Sequence, residues 1–84
     1  MTVVTITPEA LRQAERLPVV IRTRLRRLVL KLANWPEVSG VKPLSGKLAG
    51  RYRIRTGDCR VQFYVQSGCL IVEKIGHRDK FYED

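Results

Sequence analysis

The chain has 84 residues, 44% of them hydrophobic, with 16 Lys and Arg against 8 Asp and Glu, a formal net charge of +8. That length fits one domain spanning residues 1–84, with a modest core, because a chain this short buries only about 60–65% of its unfolded surface. The charge points to an anionic partner: nucleic acid, an anionic membrane or an acidic protein. Arginines outnumber lysines 11 to 5, and the planar guanidinium fork favours specific phosphate or carboxylate recognition over a diffuse positive cloud. No run approaches the roughly 18 apolar residues of a membrane span. The N-terminus has neither the basic nor the apolar region of a secretory signal. Cys59 and Cys69 are too few for a disulfide framework, so a reduced, cytoplasmic protein is expected.

Along the chain, residues 2–6 (TVVTI) are β-branched and predict a short strand. Thr7-Pro8 then reads as a helix N-cap followed by proline at the first helical position, with Glu9 suited to the helix dipole. This first helix is expected to end near Arg16, with Ala10, Leu11, Ala14 and Leu17 on its apolar face. Leu17-Pro18 marks a break, and Pro18 opens a second helix. There Ile21, Leu25, Leu28 and Leu32 form an apolar stripe at helical spacing, with Arg22, Arg24, Arg26, Arg27 and Lys31 mainly off it. The two helices predict an αα-hairpin with one shared buried face. Residues 36–50 hold prolines and glycines and predict a long loop, which contributes Lys42 and Lys47.

From Arg51 the period becomes two. Strands are expected at about 51–56, 59–66 and 69–75, joined by turns at Gly57-Asp58 and Ser67-Gly68. A two-residue turn at Gly57-Asp58 sets Arg55 opposite Arg60, Arg53 opposite Gln62 and Arg51 opposite Tyr64. The other face then pairs Ile54 with Val61 and Tyr52 with Phe63. A slip of one residue would drive arginines into the core, which supports this register. Like charges directly opposite cost about 0.2–1 kcal/mol per pair. An anion lying across the face reverses the sign of that effect, and Tyr64 offers a ring for a base to stack on. The competing structural reading is a solvated basic face that resists edge pairing.

In the third strand, a Ser67-Gly68 turn sends Leu70 and Val72 to the core and Glu73 to the basic face near Gln62, to pair with an arginine or serve as a base. A three-residue loop would reverse these faces; the two-residue turn is preferred. Either register holds the two cysteines about 20 Å apart at roughly 3.3 Å per residue, too far for a disulfide. The tail breaks at Gly76 and supplies His77, Arg78, Lys80 and Tyr82. His77 is the one histidine, with no second His or clustered carboxylates to suggest a metal site, so no metal and no cofactor is expected.

One extended pattern carries a resemblance. Leu48, Gly50, Tyr52-Arg53-Ile54-Arg55, Gly57-Asp58 and Arg60-Val61, an apolar strand, then Ile75-Gly76-His77-Arg78 and Tyr82, resemble the RelE/ParE superfamily of toxin–antitoxin toxins. The likeness covers essentially the whole chain, since the preceding strand and helical hairpin match the family's order. It implies an α+β fold: an N-terminal strand, a two-helix hairpin, then an antiparallel sheet of three strands. It also implies a ribosome-dependent endoribonuclease, independent of metal, that cuts mRNA in the ribosomal A site. The implied partners are the ribosome, mRNA and a cognate RelB-like antitoxin, with a higher-order toxin–antitoxin complex on operator DNA through the antitoxin. By position, Arg53 and Arg55 match two basic strand residues of the family, Arg60 the next strand's arginine, Arg78 the arginine after the glycine, and Tyr82 the C-terminal tyrosine.

The expected chemistry is attack of a 2′-OH on its own 3′ phosphate, giving a 2′,3′-cyclic phosphate and a 5′-OH. Arg53, Arg55, Arg60 and Arg78 are placed to offset phosphorane charge. Tyr82 is the candidate base, its pKa lowered by those cations, and His77 an acid or positioning residue. Arg51, Lys47, Tyr64, Gln62 and Lys80 are the expected RNA contacts. Two rival readings are a ParE-type inhibitor of DNA gyrase without nuclease activity and a non-catalytic nucleic-acid-binding domain. A third is a basic face that serves mainly to hold an acidic antitoxin segment.

Overall fold

The computed structural model describes residues 2–77. Arg78, Lys80 and Tyr82 lie outside the described residues.

Thr7 caps the first helix as expected, its hydroxyl oxygen accepting from the Ala10 amide at 3.1 Å. Strand β1 (Val3–Ile6) leads into helix α1 (Pro8–Glu15), with proline at its start, and helix α2 (Val19–Leu32) follows. Leu25, Leu28 and Leu32 of the expected stripe are buried, while the α2 arginines are exposed. The two helices do not share one closed interface. α1 packs on the last strand and α2 on a central one. Leu11 is 52% exposed and Leu30 68%. A shallow apolar groove between the helices is lined by Ile6, Leu11, Ala14, Leu25, Val29 and Leu30.

The expected long loop contains two short elements. Strand β2 (Lys42–Pro43) and a 3-10 turn (Gly46–Leu48) precede strands β3 (Tyr52–Thr56), β4 (Cys59–Gln66) and β5 (Cys69–His77). Proline is tolerated in β2 because that strand is an edge. The sheet therefore has five strands rather than three, in the order β1-β5-β4-β3-β2. β1 runs parallel to β5, with Val3 opposite Cys69 and Ile6 opposite Val72, and the other pairs are antiparallel. The overall class, α+β with helices on one sheet face, is the expected one.

Both hairpin turns form where the glycines permit them. Gly57 has φ +58°, and Ser67 and Gly68 have φ +52° and +79°. The paired positive angles at Ser67 and Gly68 are those of a type I′ turn, whose twist matches its strands. The β3–β4 register is as expected, with Arg55 opposite Arg60 and Ile54 opposite Val61. One sheet face thus collects Ile54, Val61, Phe63, Leu70, Val72 and Ile75 against the helices. Trp35 closes one end of this core over Tyr52 and Phe63, with ring centroids 4.9 and 5.4 Å away.

The β4–β5 ladder departs from simple alternation. From Gln66–Cys69 to Phe63–Val72 it keeps the register of a two-residue turn. Then Gln62 pairs with Lys74, leaving Glu73 as the extra residue of a β-bulge. Each side chain after the bulge changes face. Ile75 enters the core, only 3% exposed, whereas unbroken alternation would put Lys74 there instead. Burial of an isoleucine in place of a lysine is the driving force for the shift. The extension also overruns the expected break, since Gly76 and His77 are strand residues. Where β5 passes the end of β1, the Gln13 side chain accepts from the Ile75 amide at 2.8 Å and satisfies that edge.

Candidate functional site

The sheet face away from the helices carries the cations. Cross-strand partners line up in a row through Lys42, Arg53, Gln62 and Lys74, one residue from each of four strands. At about 4.8 Å between strands the row spans roughly 14 Å. The next row holds Arg55, Arg60 and Gly76. Arg55 is exposed and Arg53 and Arg60 half-buried, and guanidinium groups on one sheet face suit an anion lying across it.

Arg51 and Tyr64 flank these rows, and Glu73 joins them. Arg51 Nε donates to Glu73 Oε2 at 3.0 Å and its Nη2 to Oε1 at 3.5 Å. The same Oε2 accepts from Gln62 Nε2 at 2.8 Å. The Arg51 guanidinium also lies over the Tyr64 ring, 4.5 Å from the centroid, a cation–π arrangement. A half-exposed ion pair of this kind adds at most about 1 kcal/mol of stability, so its main consequence is to fix geometry. Gln62 is buried, and its Oε1 has no hydrogen-bond partner among the described residues. The amide cannot turn to relieve this without setting an acceptor against the Glu73 carboxylate.

Of the expected site residues, the structure gathers Arg51, Arg53, Arg55, Arg60, Gln62 and Tyr64 on one face. Lys47 is exposed on the 3-10 turn leading to β3. His77 is a correction. It pairs with Cys59, which is 1% exposed on the helical face, and it lines a recess with Gln13, Arg16 and Leu17 of the helical layer. The bulge that buries Ile75 also moves His77 off the arginine face. Its Nε2 is 3.9 Å from Asp58 Oδ2 in the neighbouring turn, beyond hydrogen-bond distance. Burial pushes the Cys59 thiol up from its ordinary value, which keeps it neutral and unreactive. Cys69 is also a free thiol, at the far end of the hairpin.

Two cations of the face were not among the expected contacts. Lys42 was legible only as a loop lysine, because nothing local marks a two-residue strand. Lys74 could not be placed without the bulge, since simple alternation buries it.

A two-helix layer on one face of a small mixed sheet, with cations across the other, defines a compact α+β class. The fold is that of the RelE toxins. The toxin–antitoxin complex RelBE2 from Mycobacterium tuberculosis is similar at TM-score 0.82 and 25% identity, over 92% of this chain and 98% of that one. The archaeal RelE–RelB complex from Pyrococcus horikoshii OT3 is similar at TM-score 0.74 and 26% identity, over 96% and 100%. The isolated E. coli RelE toxin is similar in fold at TM-score 0.75, with 16% identity over 92% and 84%. No protein-family model matches the chain, and no curated protein does. The resemblance to the RelE/ParE superfamily read in the sequence is borne out.

Proposed function

We propose that this protein is the toxin of a type II toxin–antitoxin system and that it cleaves mRNA in the ribosomal A site. The observation that carries this reading is the arginine face of a RelE fold, held in register by the Gly57-Asp58 turn. The like charges of Arg55 and Arg60 repel across the strands, and a polyanion lying over them reverses the sign of that effect.

In this reaction the 2′-OH oxygen attacks the adjacent phosphorus, the 5′ oxygen of the next nucleotide leaves, and a 2′,3′-cyclic phosphate remains. Arg53, Arg55 and Arg60 receive the charge that gathers on the phosphorane oxygens, the kind of contribution for which one donor accounts for about 10²–10³-fold in rate. Arginine stays charged and does not trade protons at neutral pH, so these residues act electrostatically. Arg78 and Tyr82 are assigned by the sequence resemblance, as a further phosphate cation and the general base. His77 takes no part, because it lies on the helical face. The ribosome holds the RNA in line and contributes the geometry of attack. A RelB-like antitoxin, the partner that accompanies RelE in the similar complexes, neutralises the toxin and carries it to operator DNA. The protein acts in the cytoplasm.

Primer extension on a defined mRNA, with translating ribosomes and with naked RNA, tests this reading. New cuts at A-site positions on translated RNA are expected, and Arg53→Ala should slow them about 10²–10³-fold. Absence of cuts in both conditions, with folded protein in excess, would overturn the nuclease, and a supercoiling assay then tests gyrase inhibition.

A further inference from the structure

Arg51 meets a carboxylate along one edge and an aromatic ring beneath it. Its donor edge is directed at Glu73, with Nε and Nη2 both bonded to that carboxylate. The guanidinium carbon lies over the Tyr64 ring, 4.5 Å from its centroid. The side chain is nevertheless 39% exposed. An arginine whose charge is met by a carboxylate makes a poor phosphate ligand, whereas its planar group remains a stacking surface. The carboxylate stands at the bulge of β5, on the face to which alternation from the Ser67-Gly68 turn already sends it, and Gln62 holds the same carboxylate from a buried position.

We propose that Arg51 on Tyr64 is a stacking platform for one unpaired nucleobase of the bound RNA, and that Glu73 is the positioning residue that keeps Arg51 flat on the ring. This deepens the proposed function and rests on its RNA substrate. The platform lies beside the cation row, since Tyr64 is two residues from Gln62 along β4, about 6.6 Å at 3.3 Å per residue. Phosphates run over Arg53, Arg55 and Lys74 while a neighbouring base turns onto Arg51. Because every base has a π face, the platform accepts any of the four. Arg51 supplies a plane and little net charge, because Glu73 meets its donor edge.

The test uses a single-stranded hexamer with 2′-O-methyl riboses, which blocks cleavage, carrying 2-aminopurine at one position, and a matched hexamer with an abasic site there. Binding is followed by fluorescence against salt concentration, scanning the modified position along the hexamer. For Arg51→Ala, affinity for the intact hexamer should fall about tenfold, with loss of the 2-aminopurine quench. Affinity for the abasic hexamer and the slope of log K against log salt should not change. Arg53→Ala should instead flatten that slope by about 0.7, one phosphate contact on a single strand. Arg51→Lys should fail to restore the quench, because ammonium is a point charge. Glu73→Gln should steepen the slope by about 0.7 as the Arg51 charge is released, and shrink the intact-versus-abasic difference. Circular dichroism melts identify any variant that does not fold, and the remaining variants then decide.

A flatter slope for Arg51→Ala, with equal loss on both hexamers, would make Arg51 a phosphate contact and overturn the platform. So would unchanged binding by every folded Arg51 and Glu73 variant, or no binding of either hexamer by the folded wild type. Binding with the expected base dependence, but no cuts in translated mRNA, would uphold the platform and overturn the nuclease.

Discussion

The two faces of the β3–β4–β5 sheet alternate along the same three strands and are built on opposite terms. Toward the helices, Ile54, Val61, Phe63, Leu70, Val72 and Ile75 are all at most 4% exposed. Away from them, arginines and lysines stand in rows, with Glu73 bonded to Arg51 and Gln62 among them. The apolar face holds the fold and tolerates little change in volume. On the cationic face Arg55 stands opposite Arg60, a like-charge pairing that by itself costs stability. The proposed function rests on this second face.

The largest effect should come from the apolar face. Phe63 is fully buried, and Phe63→Ala should remove about 3–5 kcal/mol, enough to unfold a marginal 84-residue chain in a denaturant titration. Retention of a native midpoint by this variant would break the assignment of the two faces. Next comes the turn that sets their register. Gly57 has φ +58°, and a Cβ there would lie 3.6 Å from Arg24 Nη1. Gly57→Ala should cost about 1–2 kcal/mol from the left-handed backbone, lowering the thermal midpoint. The smallest effect has the opposite sign. Arg55→Ala removes a like-charge pair and should stabilise by about 0.2–1 kcal/mol while slowing RNA cleavage. The gain should shrink in high salt, as screening weakens the repulsion it relieves. A loss of stability from Arg55→Ala would show that Arg55 supports the fold and that the cationic face also serves stability.

Local signals made much of this molecule readable in advance. Thr7-Pro8 started a helix because a hydroxyl acceptor and a preset φ act within one turn. The stripe through Leu25, Leu28 and Leu32 formed because a three-to-four-residue spacing lies along one side of a helix. The β3–β4 register followed from a two-residue turn and strict alternation, which together leave one arrangement with the arginines outside. Arg53, Arg55, Arg60 and Tyr64 could therefore be placed on one face from their order alone.

Tertiary structure decided what depends on distant partners. The pairing of β1 with β5 joins segments more than sixty residues apart, and no local pattern encodes which edge a short β-branched strand will choose. Lys42 and Pro43 became a strand only because β3 offered them an unpaired edge. The bulge at Glu73 arose from a competition that the linear pattern does not state: unbroken pairing would have buried Lys74, and one extra residue buries Ile75 instead. That single adjustment removed His77 from the arginine face and brought Lys74 onto it. Alternation belongs to the sequence, but the place where alternation breaks is chosen by the free energy of filling the core.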